Sequence, residues 1–291
     1  MKIGSDIKIQ TLCIIGVGLI GGSLARALRK AGVRGHIVGC SRRRENLEKA
    51  LTLGVIDSFE TDVAKAVAGA DMIVVTVPLF AMEPLFRAMV GKIAPDAVIT
   101  DGGSAKQSVL AAARAAFGEI PKNLVPAHPI AGTEQSGVEA SFDTLFQGRR
   151  VIMTPVPETD PVALERGRAM WEATGATVTE MSAQHHDEVL AATSHLPHVL
   201  AYALVDMLGD MDKKTEIFRY AAGGFRDFTR IASSDPQMWH DICLANADAV
   251  VATLERFQKQ LQSVTHDIRH KDGETIKALF ERAKQYRDDN A

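Results

Sequence analysis

Hydrophobic positions follow two regimes along this chain. Up to residue 181, short dense apolar runs alternate with stretches of helical spacing; from residue 182 onward apolar residues recur only at helical intervals. In the first regime the apolar, β-branched run at 11–15 predicts a buried strand, followed by a glycine-rich break and a helix over 24–30. Runs at 36–41, 70–78, 97–101 and 124–127 predict further buried strands, the second of them stopped by Pro78. Residues 151–155 and 177–181 predict two more strands around a helix near 161–174. Such alternation of strand and helix predicts an α/β region with a mostly parallel sheet.

In the second regime, 185–208 reads as one long helix, and Pro197 inside it is expected to bend it and free a backbone carbonyl. The run Ser233-Ser-Asp-Pro236 predicts the start of another helix. Val250, Val251, Leu254, Phe257 and Leu261 form an apolar stripe suited to a helix bundle or a dimer seam.

The break after the first strand is Gly16-x-Gly18-x-x-Gly21, and a strand before it with a helix after it is the context that gives the pattern meaning. Gly16 permits a tight turn, Gly18 lets a pyrophosphate approach the backbone, and Gly21 lets the helix pack closely on its strand. The helix N-terminus then binds the phosphates through free N–H groups and its dipole. Leu19, Ile20, Thr76 and Pro78 are further expected cofactor contacts. About 20 residues beyond the glycines, where an acidic residue commonly holds the ribose 2′-hydroxyl, stand Ser41 and Arg42. A hydroxyl and a guanidinium suit a 2′-phosphate better, so NADP is expected over NAD, or tolerance of both. Arg43 and Arg44 read as a solvated helix start.

Composition narrows the partners. Of 291 residues, 46% are hydrophobic and 24% charged, as in ordinary soluble globular proteins. A net charge of −3 gives no sign of a nucleic-acid partner. Cys13, Cys40 and Cys243 are too scattered for a disulfide framework or a metal knuckle, which points to a reducing cytoplasm. Residues 1–8 lack the apolar core of a signal peptide, and no apolar run is long enough to span a bilayer.

Thr76, Ser104 and His128 all follow expected strands of the parallel sheet, where ligands of such sheets bind. His128 could merely cap a loop, but a histidine at the cofactor edge beside a Gly/Thr-rich loop suits proton transfer. Ser104 could cap a helix, contact the cofactor, or do both. In the helical half, Ser194 and His198 share a face near the expected bend. The segment from Gly223 to Trp239 carries Arg226 and Arg230. An arginine there is a natural fork for a carboxylate, against the alternative of a surface cluster of Arg226, Asp227 and Arg230. His195 with His198, or His266 with His270, could pair on a metal, but no acidic or thiol ligand completes a set.

These motifs taken together resemble the prephenate and arogenate dehydrogenases of tyrosine biosynthesis over nearly the whole chain. The matching segments are Gly16-Val-Gly-Leu-Ile-Gly-Gly-Ser23, Asp101-Gly-Gly-Ser104-x-Lys106, His128-Pro-Ile-Ala-Gly-Thr-Glu134-x-Ser-Gly137, Ser194-His-Leu-Pro-His198, and Gly224-Phe-Arg-Asp-Phe-Thr-Arg-Ile-Ala232 with Asp235-Pro-x-Met-Trp239. The resemblance implies a Rossmann-type dinucleotide-binding domain, 1–181, followed by an all-helical substrate and dimerisation domain, 182–291. It implies hydride transfer to NAD(P)+ from the ring carbon bearing the 4-hydroxyl, with loss of the ring carboxylate as CO2. His128 would draw the hydroxyl proton, Ser104 would orient His128 and the nicotinamide, and Arg230 would bind the ring carboxylate. Thr133, Ser194, His198, Gly223 and Trp239 would line the pocket, and two copies would form a homodimer. Inhibition by tyrosine would have to act at or near the active site, since no fused mutase-like or regulatory segment is expected. Rival readings are another two-domain dehydrogenase, such as a β-hydroxyacid dehydrogenase, and a non-catalytic NADP-sensing protein. The family match at His128-Pro-Ile-Ala-Gly-Thr133 and Ser194-His-Leu-Pro-His198 speaks against the first, and intact His128, Ser104 and Arg230 speak against the second.

Overall fold

The computed structural model describes residues 8–290, leaving aside the side chains of 212–215. Residues 1–7, most of the segment read above against a signal peptide, lie outside the described residues. The described chain divides into two compact units, one running to Asn246 and one beginning at Ala247.

The first unit opens with β1 (Thr11–Ile15), α1 (Leu19–Lys30), β2 (His36–Cys40), α2 (Arg44–Thr52), β3 (Ser58–Glu60), α3 (Val63–Ala66), β4 (Met72–Val75), α4 (Met82–Met89), β5 (Val98–Asp101), α5 (Lys106–Phe117) and β6 (Leu124–Val125). Its strands form one parallel sheet in the order β3-β2-β1-β4-β5-β6. Alternate residues of β1 serve different layers. Leu12 and Ile14 pack with Leu24, Leu28 and Val74, while Cys13 and Ile15 pack with Ile73, Phe86 and Met89. Both faces are therefore covered, which is why the strands read as continuous apolar runs rather than alternating ones. The sheet order reverses direction at β1 and β4, so the crevice beyond their carboxyl ends is the natural ligand position.

The structure departs from the sequence reading at four places. α1 begins at Leu19 rather than at 24, so Gly21 lies inside the helix. β3 carries no usable pattern, being three half-buried residues. The run at 124–127 is two elements, because the chain leaves the parallel sheet at Pro126 and starts β7 (Ala127–Pro129). β7 joins β8 (Arg150–Met153) and β9 (Thr177–Glu180) in a second sheet, antiparallel between β7 and β8 and parallel between β8 and β9, with α6 (Pro161–Ala173) connecting the last two. His128 is thus a strand residue of this second sheet, not a loop residue after the first.

The fourth departure concerns the long helix. α7 (Ala183–Leu190) runs into a single π turn, Ala191–His195, before α8 (Leu196–Thr215). Pro197 has no N–H to continue the i→i−4 ladder, and the helix absorbs the defect with a wider turn in which the Leu196 N–H donates to the Ala191 carbonyl. α9 (Gly223–Thr229) and α10 (Pro236–Ala245) complete the unit. Asp235 caps α10 by accepting the Met238 N–H at 3.0 Å, as the Ser-Ser-Asp-Pro run predicts.

The second unit consists of α11 (Ala247–His270) and α12 (Gly273–Asp289). Lys271 takes a left-handed φ of 57° between them, and Asp272 caps α12 on the Thr275 N–H at 3.0 Å. No helix among the described residues is long and apolar enough to cross a membrane.

Candidate active site

At the sheet's switch point the glycine loop is built for a phosphate. Gly16 sits at φ 95°, and a Cβ there would lie 2.3 Å from the Thr76 carbonyl oxygen. A Cβ on Gly18, by contrast, would meet nothing within 4 Å, so that glycine faces open space. No side chain caps α1, leaving its first-turn N–H groups open to an anion. Thr76 locks the loop by donating its hydroxyl to the Gly16 carbonyl at 2.7 Å. These features fit a dinucleotide pyrophosphate.

The end of β2 carries the ribose-side residues. Ser41 Oγ accepts the Arg43 N–H at 3.4 Å. Arg44 pairs with Glu48 and lies over the Phe59 ring, whereas Arg42 is exposed and has no ion-pair partner among the described residues.

Beyond β5, one fully buried ion pair fixes where β7 begins. Lys106 Nζ donates to Asp101 Oδ2 at 2.5 Å and to the Ala127 carbonyl at 2.7 Å, while Asp101 Oδ1 accepts the Ala127 N–H at 3.0 Å. Both backbone groups of Ala127 are therefore held, and His128 follows directly. The His128 ring nitrogen Nδ1 lies 2.8 Å from His186 Nε2, and His186 Nδ1 lies 2.8 Å from Asp187 Oδ1. Asp187 in turn accepts the Lys106 N–H at 2.7 Å and the Gln107 N–H at 2.9 Å. The N-terminus of α5 is capped by this carboxylate from α7, not by Ser104; the N-cap position is Ala105. Among the described residues Ser104 makes no hydrogen bond to His128.

Burial sets the protonation of this cluster. Desolvation first, then the neighbouring His186, Lys106 and His195, hold the His128 pKa well below the ordinary histidine value. Desolvation likewise lowers His186, against the opposing pull of Asp187. His195 is brought down to about 4, again chiefly by desolvation. Its Nδ1 lies 3.2 Å from the Asn246 amide nitrogen, and its Nε2 is buried without a hydrogen-bond partner among the described residues.

The helical part of the unit supplies the opposite wall. His198 Nδ1–H donates to the Ser194 carbonyl at 2.9 Å. The His198 ring stacks on Trp239 with centroids 3.6 Å apart and planes 20° apart. Arg230 forms an ion pair with Glu134, not with Asp227. Together these surfaces enclose a cavity of about 700 Å³.

Of the residues expected to line the site, His128, Thr133, Ser194, His198, Arg230 and Trp239 all face that cavity. Gly223 does not; it opens α9, and a Cβ there would meet nothing within 4 Å. Gly16, Gly18, Leu19, Ile20, Gly21, Thr76, Pro78 and Ser104 belong to the loops and helix start at the carboxyl ends of the parallel strands. His186 and Asp187 escaped the sequence reading. Their one signal is a histidine–aspartate pair on what looks like an ordinary surface helix, yet both are fully buried.

Comparison with known proteins matches the chain in two consecutive segments. A family model described as prephenate dehydrogenase, nucleotide-binding domain, matches residues 24–180, and one described as prephenate dehydrogenase, dimerization domain, matches 182–282. A cyclohexadienyl dehydrogenase of Zymomonas mobilis is 40% identical over 281 residues, covering 95% of this chain and 94% of its own. The crystal structure of prephenate dehydrogenase from A. aeolicus, in complex with hydroxyphenyl propionate and NAD+, superposes with a TM-score of 0.90 at 37% identity, covering 97% of this chain and 99% of that one. Arogenate dehydrogenase of Synechocystis superposes with a TM-score of 0.80 at 26% identity, covering 97% and 100%.

Proposed function

We propose a reaction from one premise: this chain belongs to the prephenate dehydrogenase family. It is an NAD(P)-dependent dehydrogenase that oxidatively decarboxylates prephenate, arogenate or both, giving 4-hydroxyphenylpyruvate or tyrosine and CO2. The observation that carries the reading is the single cavity faced by a desolvated histidine, His128, and an arginine, Arg230.

When bound, the cofactor supplies a nicotinamide that accepts a hydride. The chain's own residues do the rest. His128, neutral because desolvation disfavours its cation, accepts the proton of the ring hydroxyl as the adjacent C–H bond is broken. Arg230 holds the ring carboxylate in a fixed orientation until aromatisation drives its departure as CO2. Arg230 is 63% exposed and Glu134 38%, and an ion pair so open to water is worth little, so a substrate carboxylate can take the place of Glu134 at small cost. Thr133, Ser194, His198 and Trp239 shape the pocket, the stacked His198–Trp239 pair forming a flat wall suited to a six-membered ring. Ser104 is assigned to the nicotinamide edge.

Our reading of the cofactor favours NADP, supported by the exposed Arg42 guanidinium, which has no ion-pair partner among the described residues, and by a serine, Ser41, where an acidic residue would hold a ribose hydroxyl. Gly16, Gly18, Leu19, Ile20, Gly21, Thr76 and Pro78 would contact the dinucleotide. Division into a cofactor domain at 1–181 and a substrate domain at 182–291 is supported by the family boundaries at 180 and 182. A homodimer is supported by the dimerization-domain match and by Leu261, Ile268 and Phe280 standing exposed. Three free cysteines accord with a reducing cytoplasm.

The test is a two-by-two assay of purified protein with prephenate or arogenate, each with NAD+ or NADP+, read at the reduced-nicotinamide absorbance. Turnover in any combination supports the reaction, and the pattern assigns side chain and cofactor. Cofactor binding without turnover in all four would overturn it in favour of a sensor.

A further inference from the structure

We propose that His186 and Asp187 are positioning residues that hold His128 in the tautomer whose Nε2 is bare and open to the cavity. This deepens, and rests on, the assignment of His128 as the proton acceptor.

Hydrogen-bond bookkeeping leads to this one arrangement. Asp187 is anchored as an anion, because it accepts two backbone N–H groups from the first turn of α5 in a fully buried position. An anionic carboxylate only accepts, so the proton between Asp187 and His186 sits on His186 Nδ1. His186 is neutral: it is fully buried, and desolvation, with the Lys106 ammonium beside it, outweighs the opposing pull of Asp187 and Asp101 and disfavours its cation. A neutral ring with its proton on Nδ1 presents Nε2 as an acceptor. The 2.8 Å separation to His128 Nδ1 therefore requires His128 to carry its proton there. His128 Nε2, with no hydrogen-bond partner among the described residues, is left unprotonated on a ring that faces the cavity.

The relay is needed because the tautomer is not free. A neutral imidazole in water prefers its proton on Nε2, which would fill the very lone pair that must receive the substrate proton. The groups around His128 act in the same direction. Lys106 from α5, His186 from α7 and His195 from the π turn all disfavour its cation, and Asp101 from β5 is occupied by Lys106 and the Ala127 N–H. A wrong tautomer leaves geometry intact and removes catalysis, as histidine-dependent hydrolases illustrate.

The decisive measurement is 15N NMR of the full-length protein with labelled histidine, the His128 signals being assigned by loss in His128→Asn. In the wild type His128 is expected to show a protonated Nδ1 and an unprotonated Nε2 at neutral pH. In His186→Phe the ring should shift toward the Nε2–H form, and kcat should fall about 10- to 100-fold with KM within about twofold. His186→Gln, whose side-chain carbonyl can still accept from Nδ1–H, should recover part of the loss and restore the wild-type signals. A wild-type His128 protonated on Nε2 overturns the proposal, as does His186→Phe with unchanged kcat. If His186→Phe fails to fold, the wild-type spectrum alone decides. The spectrum is independent of turnover, so an enzyme inactive on both substrates would count against the proposed reaction and leave the tautomer to be judged separately.

Discussion

Arg230 and Glu134 form an ion pair across 96 residues of sequence, joining the helical wall of the cavity to the loop that follows β7. Both side chains stay partly in water, so the pair is a placeholder more than a brace. If Arg230 serves the ring carboxylate, Arg230→Gln removes a charge-assisted hydrogen bond worth about 1.5–3 kcal/mol, which raises KM about 10- to 100-fold. Glu134→Gln should do the reverse, lowering KM by a few-fold by ending the competition. Steady-state kinetics on both variants check this, and an unchanged KM for Arg230→Gln removes the residue from the binding role.

His128 carries the proton transfer in the reaction as proposed. His128→Asn should cut kcat by about 10²- to 10⁴-fold while leaving cofactor affinity intact, because positioned general bases contribute on that scale. Titration of nicotinamide binding beside the kinetics separates the two effects. The depressed His128 pKa also sets the acid limb of kcat/KM. The base must be neutral, so activity should persist below about pH 6.5, the ordinary histidine value, and fall only at more acid pH. A limb centred at or above that value would contradict the desolvated setting.

Stability should share this pH sensitivity. His128, His186 and His195 all have pKa values held below the unfolded value, chiefly by desolvation. A base depressed in the fold binds fewer protons folded than unfolded. Its stabilising effect is therefore complete above about pH 6.5 and lost progressively as the pH falls toward the folded value, about 4 for His195. Urea unfolding midpoints should decline through that window, and His195→Leu should flatten the decline.

Cofactor choice can be tested at Arg42. Its guanidinium is exposed beyond β2, with no ion-pair partner among the described residues. Arg42→Ala should raise KM for NADP+ about tenfold and leave KM for NAD+ within about twofold. Equal effects on both would make Arg42 a solvated residue only.

Local physics made much of this protein legible in its sequence. Gly16, at positive φ and hard against the Thr76 carbonyl, tolerates no other residue, so the fingerprint announces its own backbone. Buried parallel strands must be apolar on both sides, so β1, β4 and β5 were readable as runs. The family motifs carried His128, Arg230 and Trp239 to the same site because each is a short local pattern.

What the sequence could not supply depends on long-range encounters. Pro126 says that a strand ends, but only the tertiary structure decides that the next three residues join a different sheet and that Lys106 and Asp101 fix their start. Pro197 says that a helix is disturbed, while only the folded structure shows that the disturbance is a π turn at Ala191–His195. His186 and Asp187 look like polar residues of an exposed helix. They become a buried relay because α7 docks on the N-terminus of α5, 81 residues away from Asp187 in sequence, where a carboxylate finds two open N–H groups and a histidine finds His128. Residue type and spacing determine which chemistry is possible at each position. Desolvation and hydrogen-bond partners, which exist only once distant segments meet, determine which protons are where.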